Sequence, residues 1–296
     1  MTGLLLVDKP VGMTSHDVVD HIRRAAGIRR VGHTGTLDPG ATGLLILCLG
    51  KATRLSEHLT GLDKTYQGIM RLGVVTDSYD LDGAVIAENA VPPLSMEDIQ
   101  TRCDAFTGAI EQMPPMVSAV KVGGRRLYKV ARRGEEVERK PRRVTVREFS
   151  VLAYEPPDAE IRVACSSGTY VRSLCHEVGR ALGCGAVLAT LRRTWVGRYA
   201  VEQAAPLSSF QSPEDVTARL LPMGEALDLP AVTIHDAARG ALGAGATLVG
   251  SNLRGDCPVH EGWVQIKSAK GELLALGTVQ PTAMGVCIHP KRVFTV

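Results

Sequence analysis

The sequence predicts an α/β (α+β) protein with two domains, a larger mixed domain followed by a small β-rich one. Residues 1–228 alternate short apolar runs, which are typical of strands, with segments of helical periodicity. Residues 229–296 change character, because short strand patterns there are separated by turn signals such as Gly255-Asp256. The length of 296 residues leaves room for both cores. We therefore expect one domain over residues 1–228 and a small β-barrel domain over residues 229–296.

The first part of the chain contains clear local patterns. Three apolar segments have the length of strands: residues 4–7, 44–49 and 66–72. Between the first two, Ser15 is expected to cap a helix that Gly27 ends. A turn is predicted at residues 80–83, and Ser95 is expected to cap a helix that continues to about residue 106.

A second informative region covers residues 161–182. Apolar alternation predicts a strand over residues 161–165, and Thr169 is expected to cap the helix that follows. Arg172 falls in the first turn of that helix, where the helix dipole favours anions. We therefore expect an acidic partner or a ligand beside Arg172; the alternative is an ordinary surface arginine. Further on, Ser212 is expected to cap a short helix.

The composition excludes several classes of protein. No segment approaches the roughly 20 apolar residues of a membrane span, and the apolar run at the N-terminus is too short for a signal peptide. The seven cysteines include no C-x-x-C pair, which argues against zinc and disulfide frameworks and for a reducing compartment. Neither Gly243-x-Gly245 nor Gly50-Lys51 completes a nucleotide-binding motif. We expect a cytoplasmic protein without metal or cofactor.

Residues 32–45 hold one carboxylate, Asp38, among small and turn-forming residues. Pro39 biases Asp38 away from helical dihedral angles, and the surrounding glycines allow backbone or ligand to approach closely. Taken alone, Asp-Pro-Gly is also an ordinary turn signal. The pattern therefore indicates either a simple turn or a loop that presents one acid to a bound molecule.

A basic run covers residues 121–143. Its cations greatly outnumber its three glutamates, and Tyr128 lies among them. Such a run is either a solvated charged face or a surface that contacts nucleic-acid phosphates, and the local excess favours phosphates. The candidate contact residues are Lys121, Arg125, Arg126, Arg132 and Arg133.

Several separated motifs, in order, resemble the bacterial tRNA pseudouridine-55 synthases of the TruB family, over essentially the whole chain. The block around Asp38 resembles that family's catalytic loop nearly letter for letter. The segment from Gln112 through Tyr128 resembles its RNA-gripping insertion, and the tail resembles a PUA domain. The other matching segments are Asp8-Lys9-Pro10, Lys64-Thr65-Tyr66, Ser167-Gly168-Thr169-Tyr170-x-Arg172 and Leu191-Arg192-Arg193-Thr194.

The resemblance implies a pseudouridine-synthase-like catalytic domain with a mixed, mostly antiparallel sheet and a C-terminal PUA-like domain. It makes Asp38 the nucleophile, which attacks either C6 of uracil or C1′ of the ribose, Arg172 its basic partner and Tyr66 the residue that stacks on the target base. Substrate-binding roles fall on His33, which fills the space of the flipped nucleotide, and on Tyr170, Leu191, Lys64 and the basic residues of the insertion at about 112–143. Val117 stands where many relatives have Tyr or Phe, which puts a stacking contact there in doubt.

The function implied by the resemblance is isomerisation of uridine 55 in the T-arm of tRNA, without cofactor, metal or protein partner, by a monomer. Two alternatives stay open. The chain could be a guide-RNA-dependent pseudouridine synthase, although the basic insertion argues against that class. It could also be a non-catalytic tRNA-binding or tRNA-folding module, although intact Asp38, Tyr66 and Arg172 argue for catalysis.

Overall fold

Two separate sheets organise the chain. A computed structural model describes residues 1–115, 121–122, 125–126, 140–255, 261–282 and 285–294. The helices are α1 Ser15–Ala26, α2 Ser56–Thr60, α3 Met96–Asp104, α4 Val171–Leu182, α5 Pro213–Ala218 and α6 Arg239–Gly243. The strands of the first 206 residues are β1 Gly3–Lys9, β2 Val31–His33, β3 Thr42–Leu49, β4 Lys64–Leu72, β5 Val74–Thr76, β6 Val85–Glu88, β7 Gly108–Gln112, β8 Lys121–Val122, β9 Arg125–Arg126, β10 Arg142–Glu155, β11 Asp158–Cys165, β12 Ala186–Val196, β13 Tyr199–Ala200 and β14 Ala205–Pro206. The later strands are β15 Ala231–Ile234, β16 Leu253–Arg254, β17 Gly262–Lys267, β18 Leu273–Thr282 and β19 Gly285–Val293.

The large sheet has ten strands, in the order β14-β1-β3-β12-β4-β11-β10-β7, with β2 on β3 and β13 on β12. The pairs β1·β14 and β3·β12 are parallel, and the other pairs are antiparallel. The predicted mixed, mostly antiparallel sheet is therefore confirmed. Strand β3 reads as a continuous apolar run because both of its faces are buried: Leu44 and Ile46 enter one core, and Leu45 and Leu47 enter another.

Helix α1 begins one residue earlier than expected, because its N-cap is Thr14 and not Ser15. Thr14 and Asp17 form a reciprocal capping box, and Gly27 ends the helix in the left-handed conformation, as predicted. Ser15 is buried inside the first turn, where its hydroxyl donates to the Leu37 carbonyl (3.0 Å) and accepts from the Leu37 amide (2.8 Å). The residue expected to cap the helix instead anchors a loop.

The predicted caps of the other helices are partly confirmed. Ser95 and Ser212 cap α3 and α5. Thr169, however, does not cap α4: the N-cap is Tyr170, and the Thr169 hydroxyl donates to the Ser166 carbonyl at 3.0 Å. The apolar face of α4 is buried against the sheet as its periodicity predicted, through Val171, Leu174, Cys175 and Val178.

The C-terminal sheet has five strands in the order β16-β15-β17-β18-β19. It curls into a half-barrel around a core of its own, and Leu248 forms an antiparallel bridge to Ile288 of β19. Its outer face packs on the first sheet through Leu276 and Phe294. Arg54 donates to the Val293 carbonyl (2.6 Å), and Arg292 donates to the Arg54 carbonyl (2.8 Å), so polar contacts as well as apolar ones join the two sheets. No helix in the described part of the chain is both long and apolar enough to cross a membrane.

Candidate active site

The loop between β2 and β3 carries Asp38 and is fixed on both sides of it. Before Asp38, Ser15 holds both backbone groups of Leu37. After it, the Gly12 amide donates to the Pro39 carbonyl (2.9 Å), and the Ala41 amide donates to the Asp38 carbonyl (3.0 Å). The buried Lys9 ammonium donates to the same Pro39 carbonyl at 3.3 Å. A loop held in this way presents its carboxylate in one position, as a preorganised site requires.

Arg172 meets Asp38 from the opposite side of the cleft. Its guanidinium lies 3.0 Å from Asp38 Oδ2 and 2.8 Å from Asp80 Oδ2, and it donates to the Ser78 carbonyl at 3.0 Å. The Arg172 side chain is only 6% exposed, whereas that of Asp38 is 49% exposed. The expected acidic partner of Arg172 is therefore found, and there are two of them. Asp80 was not predicted as a site residue, although the turn that carries it was.

The turn around Asp80 is packed onto α4 and β12. Asp80 Oδ1 accepts from the Ser78 hydroxyl (2.5 Å) and from the Asp82 amide (3.2 Å). Tyr79 adopts a positive φ of 66°, which is costly for a residue with a side chain, and its ring stacks on His176 of α4 with centroids 4.0 Å apart. The Tyr79 carbonyl accepts from the Leu188 amide at 3.0 Å. Contacts within its own turn therefore hold the Asp80 carboxylate in position beside Arg172.

Asp38 and Arg172 lie in the wall of a cavity of about 530 Å³. Its size falls within the range of small-molecule sites. Tyr66 and Leu191 each pack against the two cores that flank the cleft, so the cavity lies where the two halves of the sheet meet. The predicted residues Asp38, Lys64, Tyr66, Tyr170, Arg172 and Leu191 all line this cavity.

Arg193 is a wall residue that the sequence analysis quoted within a motif but did not single out. It is 1% exposed and donates to the Leu44 carbonyl (2.7 Å) and to the Gly35 carbonyl (3.2 Å). Burial raises the pKa of Tyr66, and the positive charge of Arg193 partly opposes that rise. Strand alternation sends its neighbour Arg192 to the other face, where it forms a forked pair with Asp8 (3.0 and 2.7 Å).

The surroundings of Asp38 raise the pKa of its carboxyl group above the ordinary value. Burial raises the pKa of its carboxyl group, and the neighbouring Asp80 and Asp82 raise it further, whereas Arg172 and Lys9 lower it. Because Asp38 is half exposed, the effect of burial is greatest when a bound molecule displaces water from the cleft.

Burial lowers the pKa of Lys9, and that of Lys64, to about 8. The Lys64 ammonium is held by the carbonyls of residues 60 and 62, each at 2.6 Å.

The remaining predicted residues are placed less closely. His33 is the last residue of β2, half-buried at the start of the loop that carries Asp38. Lys121, Arg125 and Arg126 lie in the short hairpin β8–β9, in which Lys121 pairs with Arg126. Arg132, Arg133 and Val117 lie outside the described residues. Arg142 and Arg143, where the chain re-enters the sheet, line the cavity. Among the described residues, no group of three or more His, Cys, Asp or Glu side chains could hold a metal ion.

Solved structures share this fold over nearly the whole length of the chain. A chain in the crystal structure of a Cbf5-Nop10-Gar1 complex is similar over 99% of this chain and 85% of its own length, with a TM-score of 0.75 and 31% identity. A chain of an H/ACA RNP bound to a substrate RNA containing 2′-deoxyuridine is similar with a TM-score of 0.74 and 28% identity, over 99% of this chain and 85% of that one.

The fold and the site, taken with family models, define the chain as a pseudouridine synthase. It belongs to the TruB family: the model of the TruB family pseudouridylate synthase N-terminal domain matches residues 23–171, and that of the tRNA pseudouridylate synthase B C-terminal domain matches residues 172–228. The tRNA pseudouridine synthase B of Symbiobacterium thermophilum is 50% identical over 236 residues, 78% of each chain. The protein of the same name from Heliobacterium modesticaldum is 41% identical over 299 residues, 100% of this chain and 96% of the relative.

Proposed function

We propose that this pseudouridine synthase converts uridine 55 in the T-arm of tRNA to pseudouridine. The observation that carries the chemistry is the ion pair of Asp38 with buried Arg172 (3.0 Å) in a cavity walled by Tyr66. The names of the relatives support tRNA as the substrate. The resemblance of the catalytic loop supports position 55, and the dominance of basic residues in the segment 121–143 supports an RNA substrate.

The reaction is an isomerisation in which the bond between N1 and C1′ breaks and a bond between C5 and C1′ forms. C5 loses a proton and N1 gains one, so no oxidant, reductant or added atom is required. Asp38 is the nucleophile, and both attack at C6 and attack at C1′ fit its place in the cavity wall. The positive charge of Arg172 lowers the pKa of Asp38 against the effect of burial, and so favours the ionised carboxylate and aims it after RNA has displaced water.

Tyr66 has two separable tasks. Its ring stacks on the target uracil, with Tyr170 and Leu191 as further walls. Its phenol oxygen takes part in removing the C5 proton. The nearby charge of Arg193 lowers the pKa of this phenol against the effect of burial, and Arg193 is itself fixed by hydrogen bonds to two backbone carbonyls.

The target uridine has to leave the base stack to enter the cavity. Uridines in RNA loops need the least free energy for this, because they are already partly unstacked. We assign His33 to the space that the flipped nucleotide leaves, and the basic arm (residues 112–143) to the phosphates. Arg142 and Arg143 bring this positive charge to the cavity itself. We further propose that the protein acts as a cytoplasmic monomer without a protein partner, and that its catalytic domain ends at residue 228 and its PUA-like domain covers residues 229–296.

A guide-RNA-dependent synthase is the second candidate, because the similar solved structures include ribonucleoprotein assemblies. The two candidates differ in what they need. Purified protein incubated with unmodified tRNA transcript, followed by mapping of pseudouridine, separates them. Formation of pseudouridine at position 55 supports the proposal. Formation only after a second RNA or protein is added supports the alternative.

The role of Asp38 is tested by Asp38→Asn, which keeps the size of the side chain and removes its charge. We expect turnover to fall by many orders of magnitude while tRNA affinity changes by less than about tenfold. Asp77→Asn is the matched control, because Asp77 is an exposed acid whose side chain accepts from the Ala84 amide (2.9 Å). Turnover of Asp38→Asn within about tenfold of the parent would remove Asp38 from the nucleophile role. Loss of activity with intact tRNA binding also separates catalysis from a pure RNA-folding role.

A further inference from the structure

Gln112 is a buried amide at the root of the basic arm. It is the last residue of β7 and is 7% exposed. In the sheet it pairs with Arg142, the first residue of β10, so the chain of the arm leaves and re-enters the sheet at this one strand pair. Just beyond it, Pro114 and Pro115 are buried as well, and proline rings restrict the backbone there. The arm therefore meets the catalytic domain through a stiff junction at Gln112.

The Gln112 side chain brackets the residue from which α4 begins. Its amide nitrogen donates to the Tyr170 carbonyl (2.9 Å), and its amide oxygen accepts from the Tyr170 amide (2.7 Å). Tyr170 is the N-cap of α4, and its own side chain makes no capping hydrogen bond. A third contact lies close by: the Ser173 hydroxyl, three residues after Tyr170, donates at 3.5 Å to the carbonyl of Met113, the residue after Gln112.

The residues on either side of this bracket belong to the reaction. The Tyr170 side chain lines the cavity, and Arg172, two residues on, holds Asp38. A shift at the N-cap would move both groups together, because they share the first turn of one helix. Misplacement of a catalytic group by about 1 Å can cost about a hundredfold in rate. The geometry therefore makes the start of α4 depend on where the arm is rooted.

We propose that Gln112 is a positioning residue that couples the basic arm to the Arg172–Asp38 pair, so that RNA held by the arm orders the catalytic helix. This inference rests on the proposed function and deepens it. The side chain has to supply both a donor and an acceptor to the backbone of Tyr170, as a primary amide does. Neither methionine nor an ionised glutamate can make both bonds.

The first test replaces Gln112 by methionine, which keeps length and burial and removes both bonds. The matched control is Gln100→Met. Gln100 makes the same kind of bracket, donating to the Phe149 carbonyl (2.9 Å) and accepting from the Val151 amide (2.7 Å), but on β10 and not on α4. Single-turnover rate at saturating tRNA, the Kd for tRNA and the Tm are measured for each.

For Gln112→Met we expect the single-turnover rate to fall about tenfold or more, with Kd within about threefold of the parent. For Gln100→Met we expect a comparable fall in Tm and a rate within about twofold of the parent. A rate within about twofold in Gln112→Met overturns the inference. So does an equal loss of rate in the control, because the loss would then report general destabilisation.

The second test is a rescue by pH with Gln112→Glu. A protonated carboxyl group can donate to the Tyr170 carbonyl and accept from its amide, whereas the ionised group can only accept. The ratio of the Gln112→Glu rate to the parental rate should therefore rise as pH falls through the pKa of the new carboxyl group. The ratio for Gln112→Met should stay flat. A flat ratio for Gln112→Glu contradicts the requirement for a donor.

The third test does not depend on catalysis. Amide hydrogen exchange of residues 166–176 is followed with and without bound tRNA. We expect binding to protect this segment in the parent and not in Gln112→Met at equal occupancy. If the parent forms no pseudouridine on tRNA, the proposed function fails, yet this measurement still decides the coupling. Equal protection in both proteins overturns the inference.

Discussion

Replacing Asp80 by asparagine isolates the contribution of the second acid beside Arg172. Asparagine keeps the shape of the side chain and an oxygen that can accept from the guanidinium. The substitution removes the negative charge of Asp80, which lies 2.8 Å from the Arg172 guanidinium. The Arg172 side chain is only 6% exposed and that of Asp80 is 18% exposed. Of the two carboxylates that contact Arg172 in the described part of the chain, Asp38 then remains, and its side chain faces solvent over about half of its surface.

The expected loss of stability is about 2 kcal/mol. Two unit charges about 4 Å apart interact by about 4 kcal/mol at an effective dielectric constant of about 20. Removing the only partner of a buried charge costs about 3–5 kcal/mol, but here Asp38 and the amide oxygen of the new asparagine retain part of the interaction. For a chain of this size, about 2 kcal/mol corresponds to a fall in Tm of about 4–6 °C. Turnover should also fall at least about tenfold, because Arg172 loses the anchor that aims it at Asp38.

The assay is thermal unfolding together with single-turnover kinetics on tRNA. Asp77→Asn is the matched control, because Asp77 is an exposed acid of the same turn that accepts from the Ala84 amide at 2.9 Å. We expect the control to keep its turnover and to lose less than about 1 kcal/mol. The reasoning is refuted if the free energy of unfolding of Asp80→Asn lies within about 0.5 kcal/mol of the parental value, or is no lower than that of the control. Asp80 would then contribute little to holding Arg172.

Three further outcomes are expected. Asp82→Asn should move the acid limb of the pH–rate profile to lower pH. Activity requires ionised Asp38 and is lost as pH falls through the pKa of Asp38, and the charge of Asp82 raises that pKa. An unchanged acid limb would contradict this prediction. Tyr66→Phe should bind tRNA normally and form almost no pseudouridine. Release of tritium from 5-tritiated uridine, which reports loss of the C5 proton, should fall at least as far as product formation. Tritium release at a near-parental rate would show that the phenol oxygen is dispensable. The third variant neutralises four arginines of the basic arm: Arg125, Arg126, Arg132 and Arg133. It should bind tRNA of any sequence more weakly, and the slope of log K against log salt should flatten by about 0.7–0.9 for each lost phosphate contact. An unchanged slope would mean that these residues form a solvated surface.

The sequence alone located the elements whose signals are local. The apolar run of β3, the periodicity of α4 and the left-handed glycine that ends α1 all depend on neighbouring residues, and all three are found. The loop around Asp38 was recognisable for the same reason. The position of Arg172 in a first helical turn predicted an acidic partner or a ligand, with a surface arginine as the alternative, and the structure shows an acidic partner.

The choice between adjacent residues was decided by tertiary contacts. Thr14 and Ser15 can both cap a helix, and only the packing of the catalytic loop assigns Ser15 to Leu37. Arg192 and Arg193 are indistinguishable in sequence. Strand alternation places them on opposite faces, but only the position of β12 within the sheet decides which face holds the cavity.

The sequence therefore determined which kinds of group are present, and the tertiary structure decided which of them meet. Nothing near Arg172 in the chain indicates that Asp38 and Asp80 will be its two partners, because a loop, a turn and a helix from three distant segments converge on one guanidinium. The same holds for Gln112 and the backbone of Tyr170. Local patterns reflect the preferences of neighbouring residues, whereas hydrogen bonds and ion pairs between distant segments exist only once the sheet has brought those segments together.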